Sequence, residues 1–507
     1  MIVNCVVIGS GPSSYAAILG LLEINIIPTV IDIGLESKFE NPKLKDTSKN
    51  ILGKKKLFGS DHMYFYPTES LNLDLNFDQN VNFHLTGALG GMSTVWGSGL
   101  QPVNFSENSK IPEKTRKEFQ QAQIAILKKI HHTFCSDDLN EKYPWPEENI
   151  PDQLFPTSRF FEKVLSKYSR RKDQVRPLLI GRPRLAVKKI GSTGGCVLCG
   201  KCLNGCPEGS IFNSGEEIKK LVQQNRIKYI NGTVKQLVLQ KNGATEIFFD
   251  SEEDVEKSLM AEYLFLGLGP IATPALLLKS RLINRPLTIR DNQVFYLLFL
   301  KKFNILIRQK FALAQLVVTN MTKTNDLADE QSEEFNLSLF EYSMDWQPRL
   351  EIILKQIGLN NVIFRSIGSL MLRCFVSGIG FITTNDSGSF LMERTEKNRI
   401  KISVDKNIQT KSNITRRVKR IKTKLKLIGL YLMPFDLNKE PIVGAGWHLG
   451  SALPMGGCSE INWNSQLVEA KNIFIVDATS LPEINPGSHT FTAMVNAYRS
   501  ALLIQSQ

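Results

Sequence analysis

The first thirty residues carry three patterns in succession. VNCVVIG is an apolar run of strand length, SGP signals a tight turn, SSYAAILGLLEIN carries apolar positions at helical spacing, and TVIDIG is a second short strand. Strand, turn, helix, strand is the beginning of a βαβ unit and predicts a doubly wound α/β sheet. A glycine-rich loop follows at Gly87 to Gly99. From about Asn104 to Lys189 the chain is polar and charged, with mixed helical patterning and several prolines, and reads as an inserted lid or linker. Strands are expected around Ile227 to Leu239 and Glu246 to Phe249, then the apolar strand and turn YLFLGLGPIATPALLL. From about Leu287 to Pro441 the long apolar runs VFYLLFL, FALAQLVV and SLMLRCFVSGIGFIT alternate with basic loops and a basic helix, which predicts a separate antiparallel domain. After Pro441 a strand (NIFIVD) and a helix (TAMVNAYRSALLI) close the chain.

Composition narrows the partners. The 507 residues suffice for two or three domain-sized units, and 62 basic against 49 acidic residues give a net charge of +13. That charge favours anionic surroundings: a phosphorylated substrate, nucleic acid or an anionic membrane. Nucleic acid is not expected, because no recognition motif or interleaved aromatic platform accompanies the charge. Much of it sits in one helix, where Ile414, Val418, Ile421, Leu425, Ile428 and Leu432 recur at helical spacing among Arg416, Arg417, Lys419, Arg420, Lys422, Lys424 and Lys426. Its basic face reads either as a solvated cover over a packed core or as peripheral docking on an anionic membrane or lipid-linked glycan. The longest apolar run, Tyr263 to Leu278, falls short of the ~18 residues of a spanning helix and is broken by Pro270 and Pro274, so no membrane span is expected. Ile2 to Ile8 runs straight into a glycine turn with no cleavage signal, so the mature chain is expected to begin at Met1. With four of eight cysteines between Cys196 and Cys206, this points to a reducing, cytoplasmic compartment.

Gly9, Gly11 and Ser14 stand where the dinucleotide fingerprint has its three small residues, and Asp32 ends the second strand about 20 residues on. The glycines let the backbone approach a pyrophosphate at a helix N-terminus, and the carboxylate can bond a ribose hydroxyl. FAD and NAD both fit this much.

Three further segments resemble the glucose-methanol-choline oxidoreductases over nearly the whole chain. Gly87-Ala-Leu-Gly90-Gly91-Met-Ser93-Thr-Val-Trp96-Gly97 is similar to that family's flavin-cradling loop. LFLGLGPIATPALLLKSRL, with Gly267, Gly269 and Pro274, is similar to its strand and turn near the adenosine half. Gly446-Trp-His448-Leu-Gly450 and NIFIVDATSLPEINPGSHTFTAMVNAYRSA are similar to its substrate and flavin segment. The resemblance implies FAD, with Val234, Asp477 and Thr492 also at flavin-binding positions. Val95 stands where some members carry a covalently linked histidine, so dissociable FAD is expected. The implied fold class is α/β, a Rossmann-like FAD-binding domain with a second α+β substrate domain on an antiparallel sheet. The segments are 1–110, 191–286 and 442–507 for FAD, 111–190 for the lid and 287–441 for the substrate domain.

The implied reaction is oxidation of a CH–OH group by hydride transfer to flavin N5, with His448 as base. The second polar group is His489, one residue past the family position that Ser488 occupies, with Asn485 as runner-up. A sugar or polyol is the preferred substrate, a sterol or lipid alcohol an alternative, and the electron acceptor is left open. Rival readings are a non-catalytic flavin and iron–sulfur electron-transfer protein and a nicotinamide-dependent dehydrogenase. Cys196, Cys199, Cys202 and Cys206, followed by Pro207, have the ferredoxin spacing C-x2-C-x2-C-x3-C-P, which suits a 4Fe-4S cluster; a zinc site or inert structural thiols are the alternatives.

Overall fold

A computed structural model of the chain describes residues 2–34, 75–77, 85–105, 110–149, 157–202, 206–251, 256–301, 311–320, 334–341, 373–434, 437–438 and 441–506. The first βαβ unit forms as its pattern predicts: strand Ile2–Ile8, helix Pro12–Glu23, strand Thr29–Asp32. These strands belong to a parallel array in the order Ile473–Ile475, Lys257–Leu266, Ile2–Ile8, Thr29–Asp32, Lys228–Leu239. Thr245–Ser251 runs antiparallel to both Lys228–Leu239 and Lys257–Leu266 and joins their far halves. A parallel array is covered on both faces, which is why Cys5 to Ile8 and Leu264 to Leu266 are continuously apolar and buried. The first and last helices, Pro12–Glu23 and Thr490–Leu502, pack backbone to backbone: a Cβ on Gly20 would lie 2.7 Å from that of Ala501.

A second, wholly antiparallel sheet has the order Leu430–Leu432, Val294–Lys301, Phe375–Ile382, Phe335–Glu341, Leu316–Asn320, Leu178–Gly181. Its edge strand Leu178–Gly181 comes from the stretch expected to be lid or linker. Period-two alternation sends Phe295, Leu297 and Phe299 to an outer face, where helices Arg159–Arg170 and Thr410–Lys426 cover them with Phe161, Val164, Ile414, Ile421 and Leu425. Each such phenylalanine, fully buried, contributes about 1.5–3 kcal/mol. Val294, Leu298, Phe340 and Ile379 face the other way, into a cluster with Phe311, Leu313, Trp96 and Phe381. That inner face borders the site described below.

A third sheet pairs Leu449–Gly450, Leu287–Asp291, Ser389–Arg394, Ile400–Asp405 and Leu75–Phe77. Leu287, Ile289, Phe390, Met392, Ile400 and Ile402 drop into the core of the parallel sheet, so these strands, though within 287–441, pack with that sheet. Arg417 also departs from the surface reading of its helix. It is 1% exposed and paired with Asp386, whose other oxygen accepts from Asn413 Nδ2 at 2.7 Å. No helix among the described residues is long and apolar enough to cross a membrane.

Candidate active site

The fingerprint turn closes on the strand beside it. Gly9, at φ +104°, donates its N–H to Ile31 at 2.9 Å, and a Cβ there would stand 2.6 Å from the Gly267 carbonyl oxygen. Ser14, in the third small position, gives its hydroxyl to that same carbonyl at 3.1 Å, so it replaces the expected glycine with a bond. Asp32 is buried and accepts from Ser10 Oγ at 2.5 Å, while Ser10 Oγ accepts from Gly90 N at 2.9 Å. Burial pushes the Asp32 carboxyl up to about 7, against the hydrogen bonds from Ser10, Gly34 and Ile33.

The glycine loop lies against this turn. A Cβ on Gly91, at φ +55°, would touch Gly11 Cα at 3.2 Å, and Gly90 faces Asn213 and Gly215 at the start of helix Ser214–Gln223. Ser93 and Ser214 share a hydroxyl contact at 3.0 Å, and Ser214 Oγ reaches Ser10 O at 2.9 Å. Sequence reasoning missed Ser10, Asn213 and Ser214. Trp96 donates its indole N–H to Phe212 O at 2.9 Å and packs against both the parallel-sheet core and the inner-face cluster. By contrast, Gly11, Gly97 and Gly269 have nothing within 4 Å of where a Cβ would stand. Open backbone at these three glycines, beside a buried carboxylate and a helix N-terminus, fits the dinucleotide that the sequence predicts. Asp477, buried, spends its carboxylate within the protein on Gly269 N (2.8 Å), Thr273 Oγ1 (2.5 Å) and Thr479 N (2.8 Å), fixing the second glycine turn to the last strand. Val234 lies at a β-bulge facing Thr245–Ser251, and Thr492 in the first turn of the closing helix.

His448 and His489 stand side by side, ring centroids 5.4 Å apart at 75°. Phe381, from the inner face of the antiparallel sheet, stacks on His448 at 4.0 Å. His448 Nδ1 is sealed from solvent with no hydrogen-bond partner among the described residues, which leaves Nε2 as its working nitrogen. His489 Nε2 lies 3.0 Å from the Leu449 carbonyl, which can only accept, so that nitrogen carries the proton. Burial, then the neighbouring His489, hold His448 well below the usual imidazole range; burial holds His489 at about 4. Both rings are therefore neutral at pH 7.

The other candidates of that loop are committed elsewhere. Ser488 Oγ donates to Gly99 O at 3.0 Å, at the end of the glycine loop, and Asn485 Nδ2 donates to Asn104 O. Asn292, unnoticed in the sequence, brackets the pair. Its backbone N–H donates to His448 O at 3.1 Å and its Nδ2 to Asn485 O at 2.5 Å, while Asp291 Oδ2 accepts from Gly444 N at 2.7 Å.

The cysteine run packs on the inner face, in one apolar cluster with Trp96 and Phe381. Cys196 is buried, Cys199 exposed, Cys202 and Cys206 half-buried, and Cys206 Sγ contacts Ser210 Oγ at 3.1 Å. Among the described residues no three His, Cys, Asp or Glu side chains are gathered as metal ligands. His131 and His132, in the stretch read as lid or linker, are half-buried against Phe212 and Trp145. His62 and His84 lie outside the described residues.

No family model and no curated protein matches the chain. The fold matches that of a pyridoxine 4-oxidase from Mesorbium loti at a TM-score of 0.62, over 100% of this chain and 99% of that one, with 12% sequence identity. At that identity the likeness establishes the fold, a Rossmann-like mixed α/β architecture.

Proposed function

We propose that the chain is an FAD-dependent oxidoreductase acting on the CH–OH group of a small molecule, a sugar or polyol by preference. The observation that carries this reading is the neutral histidine pair, held between the glycine loop and the inner face of the antiparallel sheet. The turn Gly9–Gly11 and the loop Gly90–Gly97 would hold the diphosphate and the flavin, and Asp32 a ribose hydroxyl. FAD, when bound, supplies the two-electron acceptor at N5 for the hydride leaving the carbinol carbon. His448 takes the hydroxyl proton through Nε2, burial keeping the ring neutral and so able to accept it. His489 is the second group: the bond from its Nε2–H to the Leu449 carbonyl fixes the ring and leaves Nδ1 as its acceptor nitrogen. The shared fold with an enzyme named as a pyridoxine oxidase supports the reaction class.

Anaerobic absorbance of the purified protein, before and after acid precipitation, tests the cofactor: flavin bands released into the supernatant are expected, since Val95 offers no covalent attachment. A protein unable to bind added FAD sinks the proposal. About four irons per chain in the same sample would establish the ferredoxin-like ligand set, and their absence would leave the cysteines as packing. Bleaching of the flavin by a panel of sugars, polyols and sterols then identifies the donor class, and reoxidation by oxygen, quinone or a protein carrier the acceptor. Flavin that no alcohol bleaches would favour the electron-relay reading.

A further inference from the structure

The outer face of the antiparallel sheet is covered by two helices whose exposed charged residues, Glu162 apart, are all cationic. Helix Thr410–Lys426, 17 residues and so about 25 Å long, contains no acidic residue. Its inward positions are taken by Ile414, Arg417, Ile421 and Leu425, which leaves Lys411, Lys419, Lys422 and Lys426 exposed. Helix Arg159–Arg170 covers the same core beside it, and adds exposed Lys163 and Arg170. The two are tied where they meet: Arg171 Nη1 donates to Leu427 O at 2.8 Å and Lys424 Nζ to Gln174 O at 2.6 Å. None of these six exposed cations is paired with a carboxylate among the described residues. Of the acids at this face, Glu162 is already bonded to Arg182, and Asp173 stands at the short helix between. The loop leading into the longer helix carries Ile408, 96% exposed, the most exposed large hydrophobic side chain among the described residues.

We propose that this face docks on an anionic phospholipid membrane. Charge complementarity selects an anionic partner. An array of cations spread over two helices that cover one core, with an exposed apolar side chain leading into one of them, matches an interface in which cations meet headgroups and an isoleucine enters the acyl boundary. A soluble polyanion has no use for Ile408, and neither helix exposes an aromatic side chain on which a base could stack. Docking by this face leaves the histidine pair, on the other side of the sheet, unobstructed.

Co-sedimentation of the full flavin-loaded chain with phosphatidylcholine vesicles, with and without phosphatidylglycerol, tests the assignment. Binding is expected only with phosphatidylglycerol, and reversal by high salt. Each cation near the surface is worth about fivefold in affinity, so Lys411→Gln, Lys419→Gln, Lys422→Gln and Lys426→Gln together should weaken binding by more than about a hundredfold with flavin content unchanged. Ile408→Ser should weaken it by roughly tenfold and alter nothing else. Absence of phosphatidylglycerol-dependent binding, or a quadruple variant that binds like the parent, overturns the proposal. So does a result in which duplex RNA displaces the vesicles and Ile408→Ser has no effect, since that assigns the face to a soluble polyanion.

Discussion

The glycine corner and the histidine pair are built on opposite principles. At the corner, the geometry depends on side chains being absent: Gly9 sits where a Cβ would strike the Gly267 carbonyl, Gly91 where one would press on Gly11, and Ser14 fits because its hydroxyl bonds the strand it touches. At the pair, the proposed chemistry depends on two side chains brought together from 41 positions apart by Asn292, Leu449 and Phe381. A site made of backbone is written in consecutive residues. A site made of converging loops is written across the fold.

The largest test of this contrast removes one side of it. His448→Ala should lower alcohol-driven flavin bleaching by about 10²–10⁴-fold while leaving flavin content unchanged, because the ring touches none of the glycine turns. Equal bleaching in the variant would assign the chemistry elsewhere. Gly9→Ala should act in the reverse sense. The added methyl meets a carbonyl and the residue keeps a positive φ, a combined cost of about 2–5 kcal/mol, read as a lower melting temperature and lost FAD binding. If that variant keeps its flavin but loses turnover, the corner and the pair are not separable.

The same contrast explains what the sequence disclosed. The βαβ opening, the antiparallel character of the long apolar strands, the fingerprint glycines and Asp32 follow from local period and turn chemistry, and each lies where its pattern predicted. Asn292 could not be found that way: it is one polar residue at a strand end, and its role exists only because Leu449 pairs with Asp291 and the 485–489 loop passes beside it. Leu178–Gly181 was hidden for a related reason, since four apolar residues among prolines and charges gain strand identity only from pairing with Leu316–Asn320. Arg417 reads as one cation among seven until Asp386, 31 residues earlier, draws it inward.

Asn292→Ala tests the bracket itself. The backbone bond to His448 survives, but the Asn485 carbonyl loses its donor, a cost of about 1–3 kcal/mol. The expected result is roughly tenfold lower kcat with flavin affinity intact, because only the spacing of the histidine loops is disturbed. Parallel loss of flavin content and turnover would make Asn292 a general packing residue and not a positioning one.

The smallest expected effect is an absence of change, and it separates catalysis from stability. A base works deprotonated, so an ordinary histidine loses half its activity near pH 6.5 and is about tenfold down in all by one unit below. Burial holds His448 well below that range and His489 at about 4, so bleaching by folded enzyme should show no loss centred near pH 6.5. Stability should not stay level. Below about pH 6.5 the unfolded chain takes up protons that the buried rings refuse, so these two groups make the native state progressively less stable as the pH falls toward their folded values. Rates per folded molecule that track an unshifted histidine would mean the rings are hydrated, and that the pair does not form the sealed site on which the neutral-base reading depends.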